Sequence, residues 1–244
     1  MEVPTRSTLM ILGRPWYYRL YTVDSTRGLF SFHGEETLEG KLIVQFEAPE
    51  TYSHAKRLYS LFQNVSEYLS YIDCFPPTER CFYETILGRF RQKAHFDIDF
   101  EGHDESEVRT KANALLVALC NAISSLLYEH GITMKKENFL IYTSHGRKGD
   151  KYKCSFHLVI NGYYHNNNIE ACSFYEELMQ RMYDVPDREN IDHAVYGSVQ
   201  QFRILGSQKY RSNRPKVPYG GLKEEDYFER IKTYRKSIVG DCGD

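Results

Sequence analysis

The sequence predicts an α+β fold. Two kinds of pattern lead to this expectation: a long apolar stripe at helical spacing between Asp104 and Gly131, and short strings such as His95–Phe100 and Lys153–Ile160 in which side chains alternate with period two. At 244 residues the chain is long enough for one large domain or two small lobes with a proper core. Its 41% apolar and 26% charged residues exclude a disordered or fibrous chain.

The elements follow in order. The first 46 residues alternate loosely, with turn signals at Gly13-Arg14-Pro15, Arg27-Gly28 and His33-Gly34, and Lys41–Phe46 reads as a strand from its β-branched and apolar content. Pro49 to Ser70 reads as a helix, because Ala55, Leu58, Leu61, Phe62, Val65 and Leu69 recur at helical spacing. Cys74-Phe75-Pro76-Pro77 breaks the chain, and Cys81–Ile86 and Ala94–Phe100 read as strands. Asp104 is the expected N-cap of the longest helix, with Glu107 three residues on in a capping-box pattern. The stripe Ala114, Leu115, Ala118, Leu119, Ala122, Ile123, Leu126 and Leu127 runs to Gly131, where a helix stops. Phe139–Tyr142 and Lys153–Ile160 are expected strands, Ile169–Tyr183 a helix ended by Pro186, and Val199–Leu205 a short strand. A final amphipathic helix is expected over Glu224–Ile238. The order strand–helix–strand–strand–helix–strand over residues 94–205 is the split βαβ pattern of RRM-like sheets.

No apolar run approaches the roughly 20 residues that a bilayer span requires, which excludes an integral membrane protein, and Met1–Arg6 shows no secretory pattern. The six cysteines include no C-x-x-C pair and read as reduced thiols of an intracellular protein, in nucleus or cytoplasm. The net charge is −2, unlike a chain that coats duplex DNA non-specifically. Two local excesses matter more, because phosphate-binding fields act over a Debye length of roughly 8 Å. One holds Arg147, Lys148, Lys151 and Lys153 against a single Asp150; the other runs from Arg203 through Lys209, Arg211 and Arg214 to Lys216 with no acid. Either alone also fits a solvated loop.

Three polar clusters carry chemistry. In His95-Phe-Asp97-Ile-Asp99-Phe100 the two carboxylates share one strand face and the apolar residues the other. Paired carboxylates repel each other and lose hydration when buried; a Mg²⁺ or Mn²⁺ ion relieves both costs, and the bland alternative is a strand end with two solvated acids. Lys153, Ser155 and His157 share a face of the second string as a donor ladder suited to phosphate oxygens, although His157 alone also fits a hydrogen-bonded core histidine. The third cluster places Asp192 ahead of Val195-Tyr196, then Arg203 and Lys209 six residues apart. Together these are the parts of metal-assisted nucleotidyl transfer.

On these motifs the sequence resembles the archaeo-eukaryotic primase superfamily, most closely its PrimPol-like and large-DNA-virus primase members. Cys81-Phe-Tyr-Glu-Thr-Ile86 with Ala94–Phe100 is similar to the family's lead-in and acidic first motif, Lys153-Cys-Ser-Phe-His157 to its S-x-H motif, and Ile191–Tyr196 with Gln201–Lys209 to its third motif. The resemblance implies a primase core over residues 1–218, with an N-terminal α/β module to about residue 90, an RRM-like catalytic module over about 91–218, and the active site in the cleft between them. Residues 219–244 would be a helical tail. It implies a nucleotidyltransferase, a DNA primase or DNA-directed polymerase, in which Asp97, Asp99 and Asp192 hold two Mg²⁺ or Mn²⁺ ions. Lys153, Ser155, His157, Arg203 and Lys209 would contact the nucleoside triphosphate. Arg147, Lys148, Arg211, Arg214 and Lys216 would border single-stranded template and primer. A replicative helicase or single-strand-binding protein is an implied partner, and a host cell the setting if the protein is viral.

Three departures stand out. The first motif is Asp-x-Asp where many cellular members have Asp-x-Glu, Gln200 replaces an arginine, and no Cys/His zinc module follows the core. Glu224–Phe228 faintly resembles the stretch after the core of viral primase–helicase chains, without a Gly-x-x-x-x-Gly-Lys loop in the sequence. A metal-dependent exonuclease and a non-catalytic RRM-like nucleic-acid binding module are the competing readings. Product length separates the first, and metal-indifferent strand binding the second.

Overall fold

The computed structural model describes residues 7–221 and 225–242. Met1–Arg6 and Glu224, the expected start of the last helix, lie outside the described residues. In chain order the chain forms β1 (Thr8–Ile11), β2 (Arg14–Tyr17), α1 (Leu29–Phe32), β3 (Leu42–Phe46), β4 (Leu58–Phe62), α2 (Val65–Ile72), β5 (Phe82–Leu87) and β6 (Gln92–Gly102). There follow α3 (Glu105–Glu129), β7 (Phe139–Thr143), β8 (Gly146–Lys148), β9 (Lys151–His165), α4 (Asn168–Arg181), β10 (Val199–Arg203), β11 (Val217–Pro218) and α5 (Tyr227–Ser237). The α+β expectation holds, with two antiparallel sheets and five α-helices among the described residues.

One sheet has the order β1-β2-β4-β3-β5-β10; the other runs β11-β7-β9-β6, with β8 paired to β9. The first hairpin turns at Leu12-Gly13, both at positive φ (46° and 78°), the backbone of a two-residue turn whose twist matches the strands. Around it Trp16, Phe46, Phe62 and Phe82 pack into one core, with Phe46 and Phe82 stacked at 4.5 Å.

Two expectations need correction. Residues 49–70 do not form one helix: 58–62 is strand β4, paired in register with β3 (Val44 opposite Ser60), and α2 starts only after Asn64. All five residues of β3 are buried, so its backbone needs partners on both edges, and that demand overrides the local helical period. The start of α2, which the expected helix over 49–70 missed, is marked by Asn64, whose side chain accepts from the Glu67 N–H. Second, β10 does not complete a four-stranded RRM-like sheet. It pairs with β5, Phe202 opposite Glu84, while the free edge of β6 is met by Ile191, bridged to Ile98. The first sheet therefore contains a strand from the far end of the chain.

The long helix behaves as its caps predict: Asp104 accepts from the Glu107 N–H, and Gly131 follows at φ 77°. By length and composition α3 is apolar enough to cross a bilayer, unlike the sequence expectation. Its Leu115, Leu119, Ile123 and Leu126 are buried in one cluster with Phe96, Ile98 and Leu158 of β6 and β9, the packing of a core helix. The opposite face of β6 and β9, bearing His95, Asp97, Asp99, Ser155 and His157, looks toward Phe202 of β10.

The C-terminal helix is docked through two buried charges. The Lys93 ammonium donates to the carbonyls of Arg235 (2.8 Å), Lys236 (3.1 Å) and Ile238 (2.9 Å), closing the C-terminal end of α5. Glu84 accepts from the N–H groups of Val239 (2.9 Å) and Gly240 (2.6 Å).

Candidate active site

The site is built on the paired strands β6 and β9. In their register Asp97 stands opposite His157, Asp99 opposite Ser155 and Glu101 opposite Lys153. Alternation sends Phe96, Ile98, Phe100, Cys154, Phe156 and Leu158 into the α3 core and leaves both aspartates and the ladder Lys153, Ser155, His157 on the other face. The Lys153 ammonium reaches diagonally to Asp99 at 2.7 Å. His157 Nε2 lies 3.6 Å from Asp97 Oδ1, too far for a hydrogen bond.

Asp192, almost a hundred residues away in the chain, is tied to Asp97 through the backbone. Its N–H donates to the Asp97 carbonyl at 2.8 Å, continuing the Ile191–Ile98 bridge. Its carboxylate is exposed and caps the 3-10 turn His193–Tyr196 by accepting from the Ala194 N–H at 2.8 Å. Buried His95 ties this turn to β6: one ring nitrogen lies 3.3 Å from the Val195 carbonyl, and the Tyr196 hydroxyl donates to the His95 carbonyl at 2.7 Å.

The electrostatics follow from crowding. Burial, then the Asp99 charge and more weakly that of Asp192, push Asp97 up to about 7 against the pull of Lys153 and Arg203. Oδ1 of Asp97 and Oδ1 of Asp99 are both buried without a hydrogen-bond partner, as are Nδ1 of His157 and Nε of Arg203 and Arg214. Orphaned acceptors beside orphaned donors are unusual in a finished core. Hard oxygen donors that repel one another fit a divalent cation. Burial, reinforced by Lys216 and Arg203, drives His157 well below the ordinary histidine range, so the ring is neutral.

The remaining expected residues separate into groups. Arg203 Nη1 donates to Ser144 Oγ (2.7 Å), whose hydroxyl donates to the Arg214 carbonyl (2.6 Å), which brings Arg203 and Arg214 to the carboxylate face. Lys216 needs correction as a template contact. It is 1% exposed, its ammonium donates to the Arg203 carbonyl at 2.7 Å, and it lies over the rings of Phe202 and Tyr142. Its apolar stem and rings make it a pillar under Arg203; burial lowers it to about 7. Arg147 and Lys148 are exposed on β8, with Lys148 paired to Glu101 at 2.7 Å. Arg211 is exposed near Glu50 at 3.8 Å, and Lys209 is exposed with no side-chain bond among the described residues; neither touches the carboxylates.

Sequence reasoning missed Ser144, His145 and Phe202. The His145 Nδ1 accepts from the Ser155 N–H at 3.1 Å, and Phe202 lies 4.3 Å from the His157 ring. The only local signal for the first two was a Ser-His pair between a strand and a basic run. A cavity of about 550 Å³ lies elsewhere, between β3, β5 and α5, and none of the three aspartates lines it.

No protein-family model matches the chain. It is 31% identical over 217 residues to a protein of African swine fever virus named helicase/primase complex protein, covering 83% of this chain and 19% of the relative. A counterpart from a second isolate of that virus is 30% identical over 225 residues, covering 83% of this chain and 20% of its own. A protein of Acanthamoeba polyphaga mimivirus named as a helicase is 23% identical over 190 residues, covering 70% of this chain and 18% of its own. The chain spans about a fifth of the length of the curated relatives it matches. The chain is homologous to a stretch of much longer viral proteins named helicase/primase complex protein.

Proposed function

We propose that this chain is the catalytic core of a DNA primase or DNA-directed polymerase, transferring nucleotides from nucleoside triphosphates onto a primer or initiating nucleotide on a single-stranded DNA template. The observation that carries the reading is the backbone pairing of Asp192 with Asp97, which sets a third aspartate beside the strand face that bears Asp97, Asp99, Lys153, Ser155 and His157. The name of the viral relatives, helicase/primase complex protein, supports it.

Asp97, Asp99 and Asp192 would hold the divalent ions, and the two orphaned carboxylate oxygens are the available ligand atoms. Mg²⁺ or Mn²⁺, when bound, supplies Lewis-acid charge neutralisation and makes the attacking hydroxyl more acidic. The chain's own residues then position the triphosphate. Lys153 exchanges its carboxylate partner Asp99 for phosphate oxygens. Neutral His157 donates one N–H, and Arg203, held by Ser144 and Lys216, presents its unpaired Nε. Arg147 and Lys148 on β8, with Arg211 and Arg214, border the template, giving salt-sensitive binding. The domain plan is a two-module core over residues 1–218 with a tail over 219–244, working inside the cell beside a helicase or single-strand-binding protein.

The test is primer synthesis on single-stranded DNA with either nucleotide type and either metal. Asp97→Ala and Asp99→Ala should each abolish synthesis and extension while the fold remains. Near-native activity in either variant refutes the metal assignment. Shortening of a labelled primer without nucleotides marks an exonuclease instead.

A further inference from the structure

A second cluster of metal-type donors lies outside the carboxylate face. Cys172 and Glu176 stand four residues apart on α4, and His193 reaches them from the turn that Asp192 caps. One ligand atom from each residue lies within 4.8 Å of the other two. Cys172 Sγ is 3.3 Å from His193 Nε2 and 3.8 Å from Glu176 Oε1. In a tetrahedral zinc site, bonds of about 2.3 Å to sulfur and about 2.0–2.1 Å to nitrogen or oxygen put neighbouring ligand atoms about 3.5 Å apart. The two measured separations bracket that edge.

The frame is already assembled. Tyr175, one turn along α4 from Cys172, donates from its hydroxyl to the Ile191 carbonyl at 3.1 Å, and its ring centroid is 5.3 Å from that of His193. The segment 191–193 is thus held against the helix that supplies the other two donors. A cysteine nucleophile paired with histidine would be the other use of such a pair. Burial and the adjacent Glu176 push the Cys172 thiol up, the opposite of an activated nucleophile.

We propose that Cys172, Glu176 and His193 form a binding site for a zinc-type transition-metal ion, with water completing the coordination. One thiolate, one imidazole and one carboxylate suit Zn²⁺, whereas the all-oxygen set of Asp97, Asp99 and Asp192 suits Mg²⁺ or Mn²⁺. Binding replaces the Cys172 S–H bond by a sulfur–metal bond, releases that proton to solvent and changes no oxidation state. The ion ties α4 to the turn beginning at Asp192. The site stands on its own donors and needs nothing of the nucleotidyl-transfer reading.

The test uses the full chain, freed of metal by a chelator and titrated with Co²⁺ alone. A thiolate-to-cobalt charge-transfer band should appear with one ion per chain, vanish in Cys172→Ser, weaken at least about tenfold in affinity in His193→Ala, and persist in Cys74→Ser and in Asp97→Ala. Zn²⁺ should raise the Tm of the wild type by at least about 2 °C more than that of Cys172→Ser. Absence of the band, or a band that survives Cys172→Ser, overturns the proposal. Because the band is read without nucleotide or DNA, its loss leaves the polymerase reading untouched, and inactive Asp97→Ala protein leaves the band untouched.

Discussion

Replacing Asp97 by Asn should make the protein more stable, although it removes an expected metal ligand. Asp97 is held up at about 7 instead of the ordinary 3.8, chiefly by burial and by Asp99. In the absence of divalent ions, the folded state therefore binds a proton that the unfolded state has lost throughout the window from 3.8 to about 7, and stability falls as pH rises across it. Above that window the full penalty is present. At about 1.4 kcal/mol per pH unit it has a ceiling of about 4 kcal/mol. The side chain is 22% exposed, so solvent and relaxation reduce the realised value to about 1–2 kcal/mol, or about 2–8 °C in Tm for a chain of this size. The assay is thermal unfolding of wild type and Asp97→Asn in chelator from pH 4 to pH 8.5. The gap should be near zero at the acid end, open as pH rises and flatten above neutrality. Mg²⁺ or Mn²⁺ should then close it from the wild-type side, because only the wild type gains from binding. An Asp97→Asn protein no more stable than wild type at pH 8, or a gap indifferent to pH, refutes the idea that carboxylate crowding stores energy at this site.

Three further outcomes follow from other residues. Lys216, lowered to about 7 by burial, releases its proton in the folded state while the unfolded chain keeps it up to 10.5, so wild type should gain stability relative to Lys216→Met as pH rises from about 7 to 10.5; parallel Tm curves would show that Lys216 titrates normally. Lys93→Met strips three carbonyls at the end of α5 of their donor, with an expected cost of about 2–3 kcal/mol and much faster amide exchange in α5 than in α3; equal protection of both helices would assign the docking to other contacts. His157→Ala should raise the KM for nucleotide more than it lowers kcat, and an unchanged KM would remove the ring from the triphosphate's surroundings.

Much of the site is legible without coordinates because strand alternation is a local rule. The spacing Asp97–Asp99 and Lys153–Ser155–His157 is enough to put each set on one face, and the same rule assigns Phe96 and Phe156 to the core. Caps are equally local: Asp104 and Asn64 sit one residue ahead of their helices and accept the third N–H beyond them. Where local and non-local demands conflict, the reading fails. Leu58, Leu61 and Phe62 match a helical period, yet the buried strand β3 recruits them as its edge partner. Arg203 to Lys216 reads as one basic run, yet its members end in different environments, Lys216 buried beneath Arg203 while Lys209 and Arg211 face solvent.

The amino-acid order by itself determined the α+β class, the polarity of each face of β6 and β9, and the ends of the long helix, because these depend on residues within a few positions of one another. Only the tertiary structure decided that β10 joins β5, that Asp192 lies beside Asp97, that Lys93 and Glu84 hold the C-terminal segment, and that Cys172 meets His193. Each of those outcomes pairs groups far apart in the chain, and which pairing wins is set by the burial and hydrogen-bond demands of the whole molecule.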